Sequence, residues 1–322
     1  MTDPMTEIAH RTLATNGISL HIAEAGSGPL VVLLHGFPES WYSWRHQLPA
    51  LAAAGFHAVA PDMRGYGRSE APPEVESYDQ VALAADVAGL VEALGERDAV
   101  VVGHDWGAPV AWHTALLHPD RCRAVAALSV PYRGRSPEPP LAGLKKIYGE
   151  RFFYMLYFQT PGVAEAELEA DVRVALRKFI YGASGEAPDN AFLATKKKGD
   201  TLLTGMIDPD AMPDWLSAAD LDFYEGEFTR TGFRAPLNWY RNLDRTWHRT
   251  PELAEAKVTQ PSLFVTGERD PVLRFMPGWR PILEKLTTDL RGVVMLEGCG
   301  HWTQQERPDA VNAALIDFLR GL

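Results

Sequence analysis

The sequence predicts an α/β protein in which a mostly parallel central sheet is flanked by helices and interrupted by an all-helical insert. Short apolar runs alternate with helix-length segments up to about residue 130, and again from residue 262. This alternation is typical of parallel strands joined by crossover helices. Between residues 141 and 250 the pattern indicates helices and loops without a convincing strand. We therefore expect an α/β core of residues 1–134 and 251–322, with residues 135–250 forming a helical cap.

Individual elements follow from hydrophobic spacing and from helix-capping residues. The proline-rich stretch 131–140 is expected to link the core to the insert. Strands are expected at Ile18–Ala23, Leu30–Leu34, His57–Pro61, Asp98–Val102, Cys122–Val130, Ser262–Gly267 and Val293–Leu296. Helices are expected at Trp44–Ala54, Tyr78–Leu94, Val163–Tyr181, Ser217–Gly232, Pro281–Leu286 and Asp309–Leu319.

The composition argues against several kinds of partner. The 322-residue chain carries a formal net charge of −11, and we interpret its one basic run, Lys196–Lys198, as solvated surface. We therefore expect no nucleic-acid partner. No stretch approaches the roughly 18 apolar residues of a membrane span, and the N-terminus lacks the apolar core of a signal peptide. Cys122 and Cys299 are too few for a disulfide framework, which favours reduced thiols and a cytoplasmic location.

The most informative motif is Gly103–Gly107, which follows a buried-strand pattern and precedes a helix-like segment. This is the context in which a nucleophile elbow exposes one side chain above a sheet, and here that residue is Asp105. An aspartate is anionic at neutral pH, so it can displace a leaving group from an sp³ carbon without a base. Attack on an ester would instead give a labile anhydride. Asp105 therefore indicates cleavage of an alkyl–oxygen or alkyl–halogen bond.

Two further residues complete a triad with the nucleophile. Asp270 and His301 each follow a predicted parallel strand, at the edge where open α/β sheets place their sites. The chain order of nucleophile, acid and histidine is that of α/β-hydrolases. We expect Asp270 to orient His301, and His301 to act as base on the water that hydrolyses a covalent ester. The oxyanion of that step needs N–H donors, which we assign to the amides of Phe37 and Trp106.

These motifs resemble the epoxide hydrolases of the α/β-hydrolase superfamily, and most closely the hydrolase domain of soluble epoxide hydrolase. The resemblance covers nearly the whole chain and is carried by His35–Trp41, Asp62–Ser69, Gly103–Gly107 and Gly300–Gln304. It implies an α/β-hydrolase fold with a cap, and hydrolysis of lipophilic epoxides to vicinal diols. The phosphatase-type domain of larger vertebrate members has no counterpart, so no phosphatase activity is expected.

The expected partners are a small lipophilic epoxide and water. The protein itself is expected to be a monomer or a homodimer. No metal-ligand spacing and no phosphate-binding glycine loop is apparent in the sequence, so no metal or other cofactor is expected. His104 and Glu39 flank the motifs, and we interpret them as supporting residues.

The resemblance also implies two cap tyrosines that donate to the epoxide oxygen, by position Tyr154 and Tyr240. A phenol can protonate the oxygen that becomes negative on ring opening, and such assistance is typically worth about 10²–10⁴ in rate. Tyr157 is a rival for the first of these roles. The substrate pocket is expected to be lined by Phe37, Trp106, Phe158, Trp239 and Trp302.

Two other functions stay open on the sequence alone. Haloalkane dehalogenases use the same nucleophile, but they usually have Asn where this chain has Phe37, and they lack the paired tyrosines. Fluoroacetate dehalogenases usually carry Arg where this chain has Trp106. The other alternative is a non-catalytic ligand receptor on the same fold, against which the complete Asp–Asp–His set argues.

Overall fold

One eight-stranded sheet organises the chain, of which the computed structural model describes residues 7–189, 192 and 196–322. The strands are β1 (Ala9–Thr15), β2 (Ile18–Ala25), β3 (Leu30–Leu34), β4 (His57–Pro61), β5 (Ala99–His104), β6 (Cys122–Leu128), β7 (Ser262–Gly267) and β8 (Leu290–Leu296). They lie in the order β1-β2-β4-β3-β5-β6-β7-β8 across the sheet. The first two pairings from the β1 edge are antiparallel, and all the others are parallel.

Helices cover both faces of the sheet and fill the segment between β6 and β7. In the described part of residues 135–250, every regular element is a helix. No described helix is long and apolar enough to cross a membrane. The helices are α1 (Gln47–Ala53), α2 (Gln80–Ala93), α3 (Gly107–Leu117), α4 (Pro140–Tyr148), α5 (Tyr154–Tyr157), α6 (Val163–Ala170), α7 (Val172–Ala183), α8 (Ala218–Thr231), α9 (Arg234–Arg241), α10 (Leu243–Arg249), α11 (Trp279–Leu286), α12 (Thr303–Glu306) and α13 (Pro308–Arg320).

The central strands are apolar along their length because both faces of the sheet are covered. On β5, Val101 packs into the hydrophobic cluster on one face, whereas Val100 and Val102 pack into the cluster on the other. All three are fully buried. This alternation follows from the two-residue period of a strand. The end of β5, which leads into the Gly103–Gly107 turn, is therefore held from both sides.

Three of the differences from the expected elements have a clear physical cause. Strand β1 is an addition to the expected set, because its side chains are mostly exposed and show no apolar alternation. The single helix expected at Val163–Tyr181 is two helices, α6 and α7, since Asp171 starts a new helix by accepting from the amide of Val174 at 3.0 Å. The helix expected from Trp44 begins only at Gln47, after a short 3-10 turn.

Candidate active site

The loops that follow four of the parallel strands meet at one edge of the sheet. In the strand register, Leu34 of β3 pairs with Gly103 of β5, and Gly267 of β7 pairs with Leu296 of β8. Because parallel strands end at the same edge, the loops after them converge there. These loops carry all the core residues to which the sequence assigned a chemical role.

Asp105 occupies a tight turn between β5 and α3. Its φ is 49°, in the left-handed region that costs most non-glycine residues free energy. A Cβ on Gly103 would lie 2.1 Å from the carbonyl oxygen of Gly107, and a Cβ on Gly107 would lie 2.2 Å from that of Leu34. The two glycines of the motif are thus required by backbone contacts. They allow the chain to turn sharply enough to present Asp105 above the sheet.

His301 connects the two carboxylates of the expected triad. Its Nε2 lies 3.3 Å from Oδ2 of Asp105, and its Nδ1 lies 3.1 Å from both carboxylate oxygens of Asp270. Asp270 is itself fixed, because it accepts from the amide of Val272 at 2.8 Å. The fold therefore brings the three residues within hydrogen-bonding distance of one another.

Charge governs the protonation states of the nucleophile and the histidine. Burial alone would raise the pKa of the Asp105 carboxyl, but the hydrogen bond and charge of His301 and the Phe37 amide hold that pKa below its usual value. Burial would lower the pKa of His301, but Asp270 and Asp105 together raise it well above its usual value. In the free site, an anionic Asp105 therefore faces a protonated His301.

The two oxygens of the Asp105 carboxylate have different environments. The amide of Phe37 donates to Oδ1 at 2.8 Å, whereas Oδ2 faces His301. Trp106 is the N-cap of α3, so its amide lies at a helix N-terminus, where unpaired N–H groups favour negative charge. An oxyanion at Oδ1 would be stabilised, while Oδ2 is the oxygen available for attack.

A buried hydrogen-bond network joins the Phe37 loop to His301. Nδ1 of His104 lies 2.8 Å from Oε2 of Glu39, and its Nε2 lies 2.7 Å from the carbonyl oxygen of His301. His104 therefore bridges the Glu39 carboxylate and the backbone of His301. Glu39 in turn accepts from the amide of Gly36 at 3.0 Å. Sequence motifs marked both residues, but only the fold reveals that they link the oxyanion loop to the base.

Two tyrosines of the insert share the cavity of Asp105. Tyr154 and Tyr240 both line it, with ring centroids 5.9 Å apart. Burial, reinforced by the charge of Asp105, raises the pKa of both phenols well above the usual value. Both are therefore protonated at neutral pH. Tyr157 instead donates to Glu167 at 2.9 Å and is not part of the cavity wall.

The cavity beside Asp105 has a volume of about 520 Å³. Trp106 and Trp239 line it, as expected. Among the described residues, no group of three His, Cys, Asp or Glu side chains is arranged to hold a metal ion. The other three aromatic residues expected in the pocket wall are buried and do not line this cavity; they are Phe37, Phe158 and Trp302. Phe37 and Phe158 pack against the ring of Tyr240, whereas Trp302 packs against His301.

Comparison with known proteins identifies the family. Residues 29–177 match the family model of the alpha/beta hydrolase fold. The chain is 49% identical to Epoxide hydrolase A of Mycobacterium tuberculosis, over 97% of both chains. It is 41% identical to Bifunctional epoxide hydrolase 2 of Sus scrofa, over 98% of this chain and 56% of that protein. Epoxide Hydrolase A of Mycobacterium thermoresistibile superposes with a TM-score of 0.93 at 50% identity, covering 98% of this chain and 99% of that one.

These matches define the chain first as an α/β-hydrolase-fold protein. Within that fold, it belongs to the epoxide hydrolases, which add water to epoxides to give diols. The expected fold class and activity are thereby confirmed.

Proposed function

We propose that this epoxide hydrolase works in two steps, through a covalent ester on Asp105. In the first step, Oδ2 of Asp105 attacks an epoxide carbon and the carbon–oxygen bond of the ring breaks. The epoxide oxygen takes the phenol proton of Tyr154 or Tyr240. The observation that carries this proposal is the asymmetric setting of the Asp105 carboxylate, in which the Phe37 amide donates to Oδ1 while Oδ2 faces His301.

Once the Asp105 anion has become a neutral ester, the proton of His301 passes through solvent to the tyrosinate. In the second step, the neutral His301 removes a proton from water, and the hydroxide adds to the Asp105 carboxyl carbon. The resulting oxyanion at Oδ1 is stabilised by the amides of Phe37 and Trp106. When this intermediate collapses, the alkyl oxygen leaves as the second hydroxyl of the diol and takes the proton from His301. The remaining carboxyl proton returns to His301, which restores the anionic Asp105 and the protonated His301 of the free site, so one epoxide and one water give one diol.

The paired tyrosines and the insert complete the proposal. Tyr154 and Tyr240 share the cavity with Asp105, which supports a joint role on the epoxide oxygen. We take residues 135–250 as a cap that closes over the core, with Trp106 and Trp239 in the substrate pocket. The apolar lining of that pocket suits a lipophilic epoxide.

A single turnover in ¹⁸O-water tests the ester. The new diol oxygen should come from Asp105, and the label should appear in the protein carboxylate. His301→Gln should still be alkylated and should stay heavier by one substrate mass, whereas Asp105→Ala should gain none. Label that passes directly into the diol, together with no mass gain in His301→Gln, would mean that water attacks the epoxide and that Asp105 is not the nucleophile.

A further inference from the structure

The cavity beside Asp105 contains a polar cluster that the two proposed steps do not use. Gln80 of α2, His113 of α3 and Thr246 of α10 all line this cavity. None of them belongs to the triad, the oxyanion donors or the tyrosine pair. A polar group facing an apolar cavity costs free energy unless it is hydrogen-bonded, so this cluster calls for a partner.

The geometry around His113 defines which of its ring nitrogens is free. Nδ1 lies 2.7 Å from the carbonyl oxygen of Pro109, one turn earlier in α3. Because a carbonyl oxygen only accepts, Nδ1 carries the proton. Burial holds the pKa of His113 below its usual value, so the ring is neutral at pH 7. Nε2 is therefore an acceptor, and no residue in the described part of the chain donates to it.

Gln80 adds a second acceptor to the same region. Its backbone amide donates to Oγ1 of Thr246 at 3.1 Å, which ties the start of α2 to the insert. Its side-chain Oε1 is enclosed and has no donor among the residues that the structure describes. Helix α2 packs against both α3 and α10, so Gln80 at its start lies between the helices that carry His113 and Thr246.

We propose that this cluster is a subsite for a hydroxyl group carried by the epoxide substrate. The hydroxyl donates to Nε2 of His113, and its oxygen is able to accept from the hydroxyl of Thr246. A carboxylate would fit poorly at this point of the cavity, because it has no proton to give to Nε2 of His113. The inference rests on the proposed function, since the hydroxyl belongs to the molecule that alkylates Asp105. It narrows the substrate class to lipophilic epoxides that bear a remote alcohol.

Helix α3 sets the distance between this subsite and the nucleophile. Pro109, His113 and Leu116 lie on one face of α3, at positions i, i+4 and i+7, and all three line the cavity. Helix α3 begins at Gly107, and His113 lies six positions further along it (113 − 107), which corresponds to about 9 Å at a rise of ~1.5 Å per residue. The turn between Asp105 and Gly107 adds roughly one Cα–Cα step of ~3.8 Å, and an extended chain of roughly ten single bonds spans the sum. We expect the hydroxyl at about this separation from the reacting carbon.

Matched pairs of terminal epoxides test the subsite. The two members of a pair have the same chain length, and one of them carries a terminal hydroxyl. Across the series of pairs, the chain length runs from about six to about fourteen carbons. The ratio of kcat/KM for the hydroxylated over the plain member should peak near the roughly ten-bond spacing. We expect a maximum of about threefold to tenfold, the usual effect of one hydrogen bond. His113→Phe should bring the ratio to about one, whereas His118→Phe, at the end of the same helix and outside the cavity, should leave the peak intact.

Each outcome decides the proposal. A ratio of one or less at every chain length overturns it, and the cluster then holds only water. A peak that His113→Phe leaves unchanged overturns the assignment to His113. If His113→Phe fails to fold, Thr246→Val gives the same test, because it removes the other proposed contact to the hydroxyl, and its ratio should fall as well. Absence of a mass gain in His301→Gln with every epoxide in the panel would instead contradict the proposed function, which keeps the two failures distinct.

Discussion

His301 must change its protonation state during the proposed reaction. In the free site, the charges of Asp270 and Asp105 outweigh burial and keep the pKa of His301 high. Alkylation converts the Asp105 anion into a neutral ester, which removes one of these charges and the contact at 3.3 Å. The pKa of His301 then falls, and the imidazole loses its proton and becomes a base. The nucleophile thus keeps its own base inactive until the ester has formed.

The change in charge at Asp105 predicts two different pKa values for one histidine. Hydrolysis of the alkyl-enzyme should speed up with rising pH through a pKa lower than that of His301 in the free enzyme. A ¹⁵N NMR titration measures the pKa of His301 in the free enzyme. Single-turnover rates across pH measure the pKa that governs hydrolysis of the alkyl-enzyme. Asp105→Asn lacks the anion, so the pKa of His301 in this variant should also be lower. Equal values in the free enzyme and the hydrolytic step would contradict the proposed control of His301 by Asp105.

The two cap tyrosines should act as one acid. Tyr154→Phe or Tyr240→Phe alone should slow the alkylation of Asp105, and the double variant should slow it by about 10²–10⁴. Groups that share a role are not additive, which makes the double variant the informative one. Rapid quenching followed by mass spectrometry gives the alkylation rate. Tyr157→Phe is the matched control and should alkylate as fast as the native enzyme; a native rate in the double variant would exclude the acid role.

At the scale of elements, the sequence predicts best where burial imposes a period. Strands β3 and β5 carry unbroken apolar runs because both faces are covered, and the nucleophile follows such a run. Strand β1 leaves no such signal because it is an exposed edge strand. The break between α6 and α7 depends on one side-chain cap at Asp171, which no hydrophobic pattern marks. The helix start at Ser217 is predictable, because there a cap and a hydrophobic pattern coincide.

The close packing of the elbow makes opposite predictions for two glycines. Gly107→Ala places a Cβ 2.2 Å from the carbonyl oxygen of Leu34, so the strand or the turn has to shift. This variant should lose stability and activity together. A Cβ on Gly226, inside α8, would meet no atom within 4 Å, so Gly226→Ala should stabilise the protein by about 0.5–1 kcal/mol. Urea unfolding measures the free energy of unfolding of both variants. A gain in stability for Gly107→Ala would contradict the close packing of the elbow.

At the scale of the whole molecule, polar contacts hold the insert against the core near the cavity. The Asp79 carboxylate caps α2 by accepting from the amide of Ala82 at 3.0 Å. It also accepts from Arg245 at 2.9 Å and from Arg249 at 2.6 Å, both on α10. The sequence predicts that an insert exists, but not where its helices dock. Such docking depends on single side chains far apart in the chain, which leave no periodic signal.

The contact between Asp79 and α10 gives a prediction about how the two parts of the molecule come apart. Asp79→Asn keeps the shape and the helix cap, because asparagine caps as well as aspartate, but it removes the charge that Arg245 and Arg249 share. The free energy of unfolding should fall by about 1–3 kcal/mol, since a buried charge-assisted pair is lost while the arginines can turn to solvent. Asp289→Asn, which breaks an exposed pair with Arg291, should change nothing measurable.

Hydrogen exchange locates the effect of Asp79→Asn. Amides of α10 should exchange faster in this variant than in the native protein, whereas those of β5, buried on both faces, should change only as far as global stability falls. Local loosening of α10 would also open the cavity wall at Thr246 and Trp247, which line it. The KM for epoxides should then rise more than kcat falls, because the triad lies on core loops that do not move with α10. Uniform loss of protection across α10 and β5, with kcat and KM unchanged, would mean that Asp79 stabilises only the global fold.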